Sequence, residues 1–170
     1  MNKLPKRKQI RVKDYDYSQN GYYFVTICTY KKQSLFKTSI VGNDPCVVPS
    51  DEPQNKIIEK WLLKLKEKYD IKIDYYVIMP NHIHLILVIN SERHMGRSLP
   101  EMMRWFKTMT TNEYINLVKH NILKPFDKKL WQKSYYEHII RDEEDYINTA
   151  QYILDNPLKW DIKEKYGITV

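Results

Sequence analysis

Residues Met79 to Ile89 read Met-Pro-Asn-His-Ile-His-Leu-Ile-Leu-Val-Ile and give the strongest indication of the fold. Its apolar part is short, rich in Ile, Leu and Val, and bounded by Pro80-Asn81 and Asn90-Ser91, which is typical of a buried strand. Residues 71–79 alternate into a strand of their own, and Pro80-Asn81 supplies a tight turn between the two. The sequence therefore predicts an antiparallel β-hairpin here.

The first part of the chain is predicted to add a strand and two helices to this hairpin. Aromatic and β-branched residues from Tyr22 to Tyr30 predict the first strand. Residues 37–54 contain glycine and prolines without periodicity and are predicted to be a loop. Apolar residues recur at helical spacing from Lys56 to about Asp70, and Ser98, followed by proline and glutamate, is a good helix start.

The closing part of the chain is predicted to form a strand and a helix. Residues 130–140 mix aromatic and branched side chains, and acidic residues 142–144 then open the last helix. We expect this helix to stop at Asn156-Pro157, because proline disfavours helical conformation in the residue before it. The resulting order predicts an α+β fold of the ferredoxin-like or RRM-like type, an antiparallel sheet with helices packed on one face.

Composition and charge favour a single domain with a polyanionic partner. The chain has 170 residues and a formal net charge of +7, and we expect one domain over 1–170 with a basic N-terminal arm over 1–20. Six cations crowd that arm, as expected of a segment that lies along phosphates: Lys3, Lys6, Arg7, Lys8, Arg11 and Lys13. Nucleic acid is the leading candidate partner.

Cysteine usage and hydropathy indicate a reducing compartment. Cys28 and Cys46 form no CxxC pair and no disulfide framework. The N-terminus does not resemble a signal peptide, and no apolar stretch approaches the ~20 residues needed to span a bilayer. We therefore expect a cytoplasmic, nucleoid-associated protein that is neither exported nor membrane-bound.

His82 and His84 carry the first functional signal. Residues two apart on a strand share a face, so both imidazoles point the same way and could hold one divalent ion or one phosphate. An isolated His-x-His pair is more often an ordinary pair of core or edge residues. A third group is needed to favour the functional interpretation.

The last helix offers such a group. Polar residues at spacings of four, three and four run beside its apolar stripe: Asp145, Thr149, Tyr152 and Asn156. A phenol, with a pKa near ~10, is a poor nucleophile unless a metal polarises the phosphate that it attacks. The amide oxygen of Asn156 could complete the metal shell. Spacing alone does not select Tyr152 among 14 tyrosines, and its competitors are Tyr135, Tyr136 and Tyr146.

Taken together, these motifs resemble a known family. His82-Ile83-His84 followed by residues 152–157, Tyr-Ile-Leu-Asp-Asn-Pro, resembles the single-tyrosine transposases of the HUH endonuclease superfamily, and most closely the REP-associated tyrosine transposases. The resemblance runs from about Arg7 to Trp160. Further matching segments are Tyr15-Asp16-Tyr17, Tyr23-Phe24-Val25-Thr26, Trp105-Phe106-Lys107, Trp131-Gln132, Glu137-His138-Ile139-Ile140-Arg141 and Glu143-Glu144-Asp145-Tyr146.

The resemblance implies a metal-dependent enzyme that cleaves and rejoins single-stranded DNA at hairpins or repetitive palindromes. It implies that His82 and His84 bind Mg²⁺ or Mn²⁺, and that Tyr152 attacks the phosphate to give a 5′-phosphotyrosine and a free 3′-hydroxyl. Asn156 stands where the mobile relatives have a glutamine ligand. His138 matches a histidine typical of the branch, either a residue of the metal or phosphate site or a hydrogen-bonded structural residue. The enzyme is expected to act as a monomer or homodimer.

Two other functions remain open from the sequence. One is a catalytically inactive single-strand binder that uses the aromatic residues of Tyr22 to Tyr30, and the other is a zinc hydrolase. A cluster of cations supplies candidate phosphate contacts, although each one taken singly is more often a solvated surface residue: Arg7, Arg11, Arg104, Lys107, Lys133 and Arg141.

Overall fold

A five-stranded antiparallel sheet organises the molecule, as seen in a computed structural model that describes residues 19–41, 50–90 and 98–166. The strands are β1 (Gly21–Cys28), β2 (Ser39–Val41), β3 (Lys72–Met79), β4 (His82–Ile89) and β5 (Tyr136–Ile140). Their order across the sheet is β2-β3-β4-β1-β5. The helices are α1 (Pro53–Tyr69), α2 (Leu99–Lys119) and α3 (Glu143–Tyr166), and a short 3₁₀ turn covers Tyr30–Lys32.

The turn of the β3–β4 hairpin is tied to the chain that follows β1. Thr29 is buried and donates two hydrogen bonds to the carbonyl of Asn81, from its backbone N–H at 2.9 Å and from its hydroxyl at 3.0 Å. The N–H of Leu35 donates to the carbonyl of Pro80 at 2.8 Å. These bonds supply donors to two turn carbonyls that strand pairing leaves without a partner. They also fix the residue at which β4 begins.

Alternation along the strands gives the sheet two different faces. Tyr23, Val25 and Ile27 of β1 point to the face covered by α1 and α2, which we call the helix-pair face. Phe24 of β1 and Ile86 of β4 point to the opposite face, which we call the α3 face because Ala150 and Ile153 of α3 pack there. The larger apolar core lies on the helix-pair face.

The predicted α+β fold with an antiparallel sheet is confirmed, but the placement of all helices on one face is wrong. α1 and α2 share a face, whereas α3 covers the other. The reason is visible in β4, where seven of the eight residues are buried. A strand covered on both faces reads as a continuous apolar run, and one covered on a single face alternates.

The loop predicted over residues 37–54 contains a strand. Ser39–Val41 pairs antiparallel with β3 as an edge strand, so the sheet has five strands where four were predicted. Three residues are too few to display a period of two. Residues 42–49 of the same segment, which include Cys46, lie outside the described residues.

The strand predicted over 130–140 is shorter than expected. Regular pairing covers only Tyr136–Ile140. Leu130 and Trp131 instead lie buried in the preceding loop, where Trp131 forms an isolated bridge with Thr29 and stacks on Phe36. Their apolar side chains pack in the core of the helix-pair face. Composition alone does not distinguish a buried loop of this kind from a strand.

The predicted end of the last helix at Asn156-Pro157 is wrong, because α3 continues to Tyr166 with Pro157 inside it. Proline removes the hydrogen bond that its N–H would make to the carbonyl of Ile153. Pro157 is nevertheless buried, and Trp160 one turn later packs against the core of the α3 face. We infer that tertiary packing of this turn outweighs the lost bond.

Three further expectations concern membrane spans, the basic N-terminal arm and the number of domains. Among the described residues, no helix is long and apolar enough to cross a membrane. The basic arm, with Arg7 and Arg11, falls almost wholly outside the described residues. The assignment of 1–170 to one domain stays a prediction.

Candidate active site on the α3 face

The two histidines of β4 form a compact buried pair. His82 and His84 point to the α3 face, their ring centroids are 4.5 Å apart, and both side chains are buried. Their strand partners on β1 are Cys28 and Thr26, respectively. The shared face and the close spacing are those predicted from the sequence.

Hydrogen bonds to uncharged groups orient both rings. Nδ1 of His82 lies 2.7 Å from the amide oxygen of Asn81, which accepts only, so Nδ1 donates and Nε2 keeps its lone pair. Nδ1 of His84 lies 2.8 Å from the hydroxyl of Thr26. Nε2 of His84 is buried and has no hydrogen-bond partner among the described residues. Each ring is thus held through Nδ1, which leaves Nε2 free to bind a metal ion, as in metal sites where a hydrogen bond to the other ring nitrogen orients the imidazole.

The environment keeps both imidazoles neutral near pH 7. Burial, with a smaller contribution from the charge of Lys32, lowers the pKa of His82 to about 4. Burial, followed by the charges of His82 and Lys32, lowers the pKa of His84 to about 3. A neutral imidazole is the form that coordinates a metal ion, so the pair can accept one without first losing protons.

Tyr152 of α3 packs edge-on against His84, one member of this pair. Its ring centroid is 5.3 Å from that of His84 and 5.9 Å from that of Phe24, and Phe24 stacks on His84 at 5.2 Å. The side chain is 45 % exposed, which leaves the phenol accessible to a ligand. The edge-on contacts with two rings restrict where the phenol can lie.

The next two turns of α3 continue along the histidine pair. The side-chain amide of Asn156 donates to the carbonyl of Tyr152 at 3.0 Å, a bond that uses the nitrogen and not the oxygen. Trp160, one turn later, lies 5.9 Å from His82 between ring centroids. The structure therefore brings together His82, His84, Tyr152 and Asn156, and their chemical roles stay a prediction.

His138 lies apart from the pair. It shares the α3 face, but its strand partner is Phe24, which places its Cα about 12 Å from that of His84 given the usual strand spacing. Its Nε2 is 2.9 and 2.8 Å from the two carboxylate oxygens of Asp145. Among the described residues, no group of three or more His, Cys, Asp or Glu side chains could hold a metal. The geometry therefore favours the structural interpretation of His138 over its predicted role in the metal site.

Three of the predicted phosphate contacts converge elsewhere, on the α2 side of the molecule. Arg104, Lys107 and Lys133 line a groove of about 710 Å³ between α2 and residues 126–135, together with Lys128 and Lys129.

Of these cations, Lys107 has a structural task. Its ammonium donates to the carbonyls of Gln132 at 2.5 Å and Lys133 at 2.9 Å, and burial lowers its pKa. Arg141 is exposed in the link between β5 and α3, away from this groove.

Sequence reasoning missed four residues around the pair. Thr26 and Asn81 were quoted as parts of motifs without a role, although strand parity and adjacency could have suggested one for each. Trp160 was missed because the helix was expected to end before it. Lys32 carries no sequence signal that we can identify.

Comparison with known proteins agrees with this geometry. A family model described as "Transposase IS200 like" matches residues 16–156. This chain belongs to the IS200-like transposase family. The predicted kinship with REP-associated tyrosine transposases is confirmed, and so is the enzyme class.

The matches to individual relatives span most of this chain and most of each relative. The chain is 31 % identical to an uncharacterized protein of Haemophilus influenzae, over 94 % of this chain and 93 % of the other. It is 24 % identical to the REP-associated tyrosine transposase of Escherichia coli, over 84 % and 70 %. The fold matches a REP-associated tyrosine transposase bound to a REP hairpin, with TM-score 0.58 and 20 % identity over 88 % of this transposase and 73 % of the other chain.

Proposed function

We propose that this transposase is a metal-dependent nuclease and strand transferase that acts on single-stranded DNA at hairpins or palindromes, with Tyr152 as its nucleophile. One observation carries the proposal: the phenol of Tyr152 lies over His84, with 5.3 Å between ring centroids, in the same chain. The family supplies the class of reaction. The geometry supports Tyr152 as the nucleophile, because its phenol lies beside a pair of neutral imidazoles.

The proposed step exchanges one phosphate ester for another. The phenol oxygen of Tyr152 attacks the phosphorus, the new oxygen–phosphorus bond gives a 5′-phosphotyrosine, and the bond to the 3′-oxygen breaks. The phenol proton passes to solvent, which reaches this half-exposed side chain, and the 3′-oxygen leaves as a hydroxyl after it takes up a proton. The reverse reaction joins strands. No water enters the ester, so its energy is conserved for rejoining.

Mg²⁺ or Mn²⁺ would be held by Nε2 of His82 and of His84, with the oxygen of Asn156 as a further ligand. The unpartnered Nε2 of buried His84 supports this assignment, because a buried polar atom without a partner is costly. When bound, the ion would polarise the scissile phosphate and offset its developing charge. The amide of Asn81 and the hydroxyl of Thr26 would keep the imidazoles aimed at the site.

The basic groove beside α2 is proposed to hold phosphates of the DNA outside the cleavage site. Arg104, Lys128, Lys129 and Lys133 present exposed charges there. Because Lys107 holds the groove wall through two carbonyls, we assign it to the architecture of the groove. The fold that this chain shares with a protein bound to a REP hairpin supports the proposal that it recognises hairpins.

The inactive-binder hypothesis is less well supported. It requires aromatic residues of β1 that are open to stacking bases, but Tyr23 is buried on the helix-pair face and Phe24 packs beneath His84 and Tyr152. Tyr22 is 42 % exposed, yet its ring packs edge-on against Tyr146 of α3. The zinc-hydrolase hypothesis lacks a third His, Cys, Asp or Glu ligand among the described residues.

A covalent adduct tests the proposal. A pool of hairpin oligonucleotides with random single-stranded flanks is incubated with the protein and Mn²⁺, and conjugates that resist denaturation are isolated. We expect an adduct with the wild type and none with Tyr152→Phe. Tyr166→Phe is the matched control, because Tyr166 is an exposed tyrosine at the far end of the same helix.

Two results would overturn the proposal. One is the absence of any conjugate with the wild-type chain across the whole pool. The other is a conjugate that persists in Tyr152→Phe and maps by mass spectrometry to a different residue.

A further inference from the structure

Lys32 lies at the edge of the histidine pair. It follows β1, and its Nζ is 3.1 Å from Sγ of Cys28. Cys28 is the strand partner of His82 and shares the α3 face with it. This contact holds the ammonium of Lys32 beside the His82 end of the pair, on a turn that is separate from α3.

The backbone at this point is unusual. Lys31 and Lys32 both have positive φ, 54° and 57°, the left-handed region that residues other than glycine seldom adopt. The two neighbouring lysines then have different partners. Lys31 is paired with Asp127 at 3.1 Å, whereas Lys32 faces only a thiol, a weak acceptor, among the described residues. The strained turn thus gives two adjacent lysines different surroundings. The charge of Lys31 is neutralised by Asp127, whereas the charge of Lys32 is available to a ligand.

The charge of Lys32 lies beside the site. Its Nζ contacts Cys28, which pairs across the sheet with His82 and shares the face on which both rings lie. A cation held beside two imidazoles favours an anion at the same place. The group that fits is a phosphate diester, whose non-bridging oxygens accept charge-assisted hydrogen bonds from an ammonium.

We propose that Lys32 contacts a non-bridging oxygen of the DNA phosphate that lies at the histidine pair. This inference rests on the proposed function, since it assigns a contact within the same site. Before cleavage the contact positions the phosphate below Tyr152. After cleavage it holds the phosphotyrosine diester in place for rejoining.

The first experiment measures how DNA affinity depends on salt. Each protein carries Tyr152→Phe so that no conjugate forms, and the probe is a 30-nucleotide oligothymidylate. Loss of one phosphate contact reduces the slope of log K against log salt by about 0.7 for single strands. We expect that reduction with Lys32→Gln, the wild-type slope with Lys32→Arg, and an unchanged slope with the matched control Lys31→Gln.

The second experiment identifies the phosphate. An oligonucleotide selected for adduct formation is made with a neutral methylphosphonate at its mapped cleavage position. This change should weaken binding to the Tyr152→Phe protein at least threefold and should have little further effect when Lys32→Gln is also present. Equal weakening in both proteins, or the same loss of slope in Lys31→Gln and Lys32→Gln, would overturn the inference.

Failure of the inference differs from failure of the proposed function. If the wild-type chain forms the adduct and the methylphosphonate effect does not depend on Lys32, only the inference fails. If no oligonucleotide forms an adduct, the proposed function fails, and the salt slopes on oligothymidylate still decide whether Lys32 binds a phosphate. Circular dichroism of each variant checks the fold, which an exposed lysine should not affect.

Discussion

The two faces of the sheet differ in what they bury. On the helix-pair face, β1 and β4 contribute only apolar side chains, and α1 and α2 cover them with Ile, Leu, Met and Phe. On the α3 face, the same two strands contribute two histidines and a buried phenylalanine beside a much smaller apolar cluster. The difference indicates that one face supplies most of the stability, while the other tolerates polar groups that the chemistry requires.

The first prediction asks whether one chain supplies the whole α3 face, and it has the largest expected effect. A mixture of Tyr152→Phe and His84→Ala should form no adduct, because the phenol and the imidazole of the working site belong to the same subunit. The measurement is conjugate yield on a denaturing gel after the two proteins are unfolded and refolded together. Recovery of adduct in the mixture would mean that subunits exchange α3.

The second prediction tests the helix-pair face as the source of stability. Phe106→Ala should lower the free energy of unfolding by about 3–5 kcal/mol, because it empties a fully buried aromatic site. Urea denaturation measures it, with Ile115→Ala on the exposed side of α2 as a control expected within about 0.5 kcal/mol of wild type. A small effect of Phe106→Ala would mean that the core of this face is not as tightly packed as its burial suggests.

The third prediction concerns the polar support on the α3 face. Thr26→Val keeps the shape of the side chain but removes the hydroxyl that orients His84. We expect Mn²⁺ affinity to fall about 10–100-fold, whereas Thr26→Ser should retain most of it. Calorimetric titration of Mn²⁺ into each protein provides the measurement, and equal affinities in the three proteins would show that the hydroxyl does not support the site.

The fourth prediction, the smallest, concerns His138 and Asp145 on the same face. Burial acts to raise the pKa of Asp145, but hydrogen bonds from His138 and from the N–H of Arg141 bring it below its usual value. Because the pKa of Asp145 is lower in the folded than in the unfolded state, its ionised form stabilises the fold at pH values above the unfolded-state pKa of about 3.9. This stabilisation is lost as pH falls through the folded-state pKa.

Asp145→Asn should therefore cost at most about 1 kcal/mol at pH 7, since the pair is partly exposed, and the difference from wild type should shrink as pH falls through the lowered pKa of the folded state. Unfolding curves across this range measure it, with Asp155→Asn in the exposed pair with Lys159 as the control. A difference that stays constant with pH would contradict an electrostatic origin.

Much of the sheet was predictable because it depends on local periodicity. The hairpin of β3 and β4, the amphipathic α1 and the start of α2 at Ser98 all follow from residue spacing, and the N–H of Ser98 does bond to Glu101 at 3.3 Å. The failures occurred where long-range packing outweighs local preference. Pro157 remains helical because its turn is buried, and β2 exists because β3 offers it an edge.

The sequence was sufficient to place His82 and His84 on one face, since strand geometry imposes a period of two on side chains. It also determined the helical line that holds Tyr152 and Asn156. Three relations required the folded structure: the position of this line beside the histidine pair, the bond of His138 to Asp145, and the contact of Lys32 with Cys28. Those relations join residues on different strands, helices and turns, and their distances depend on how α3 packs across the sheet and how the turn after β1 folds back.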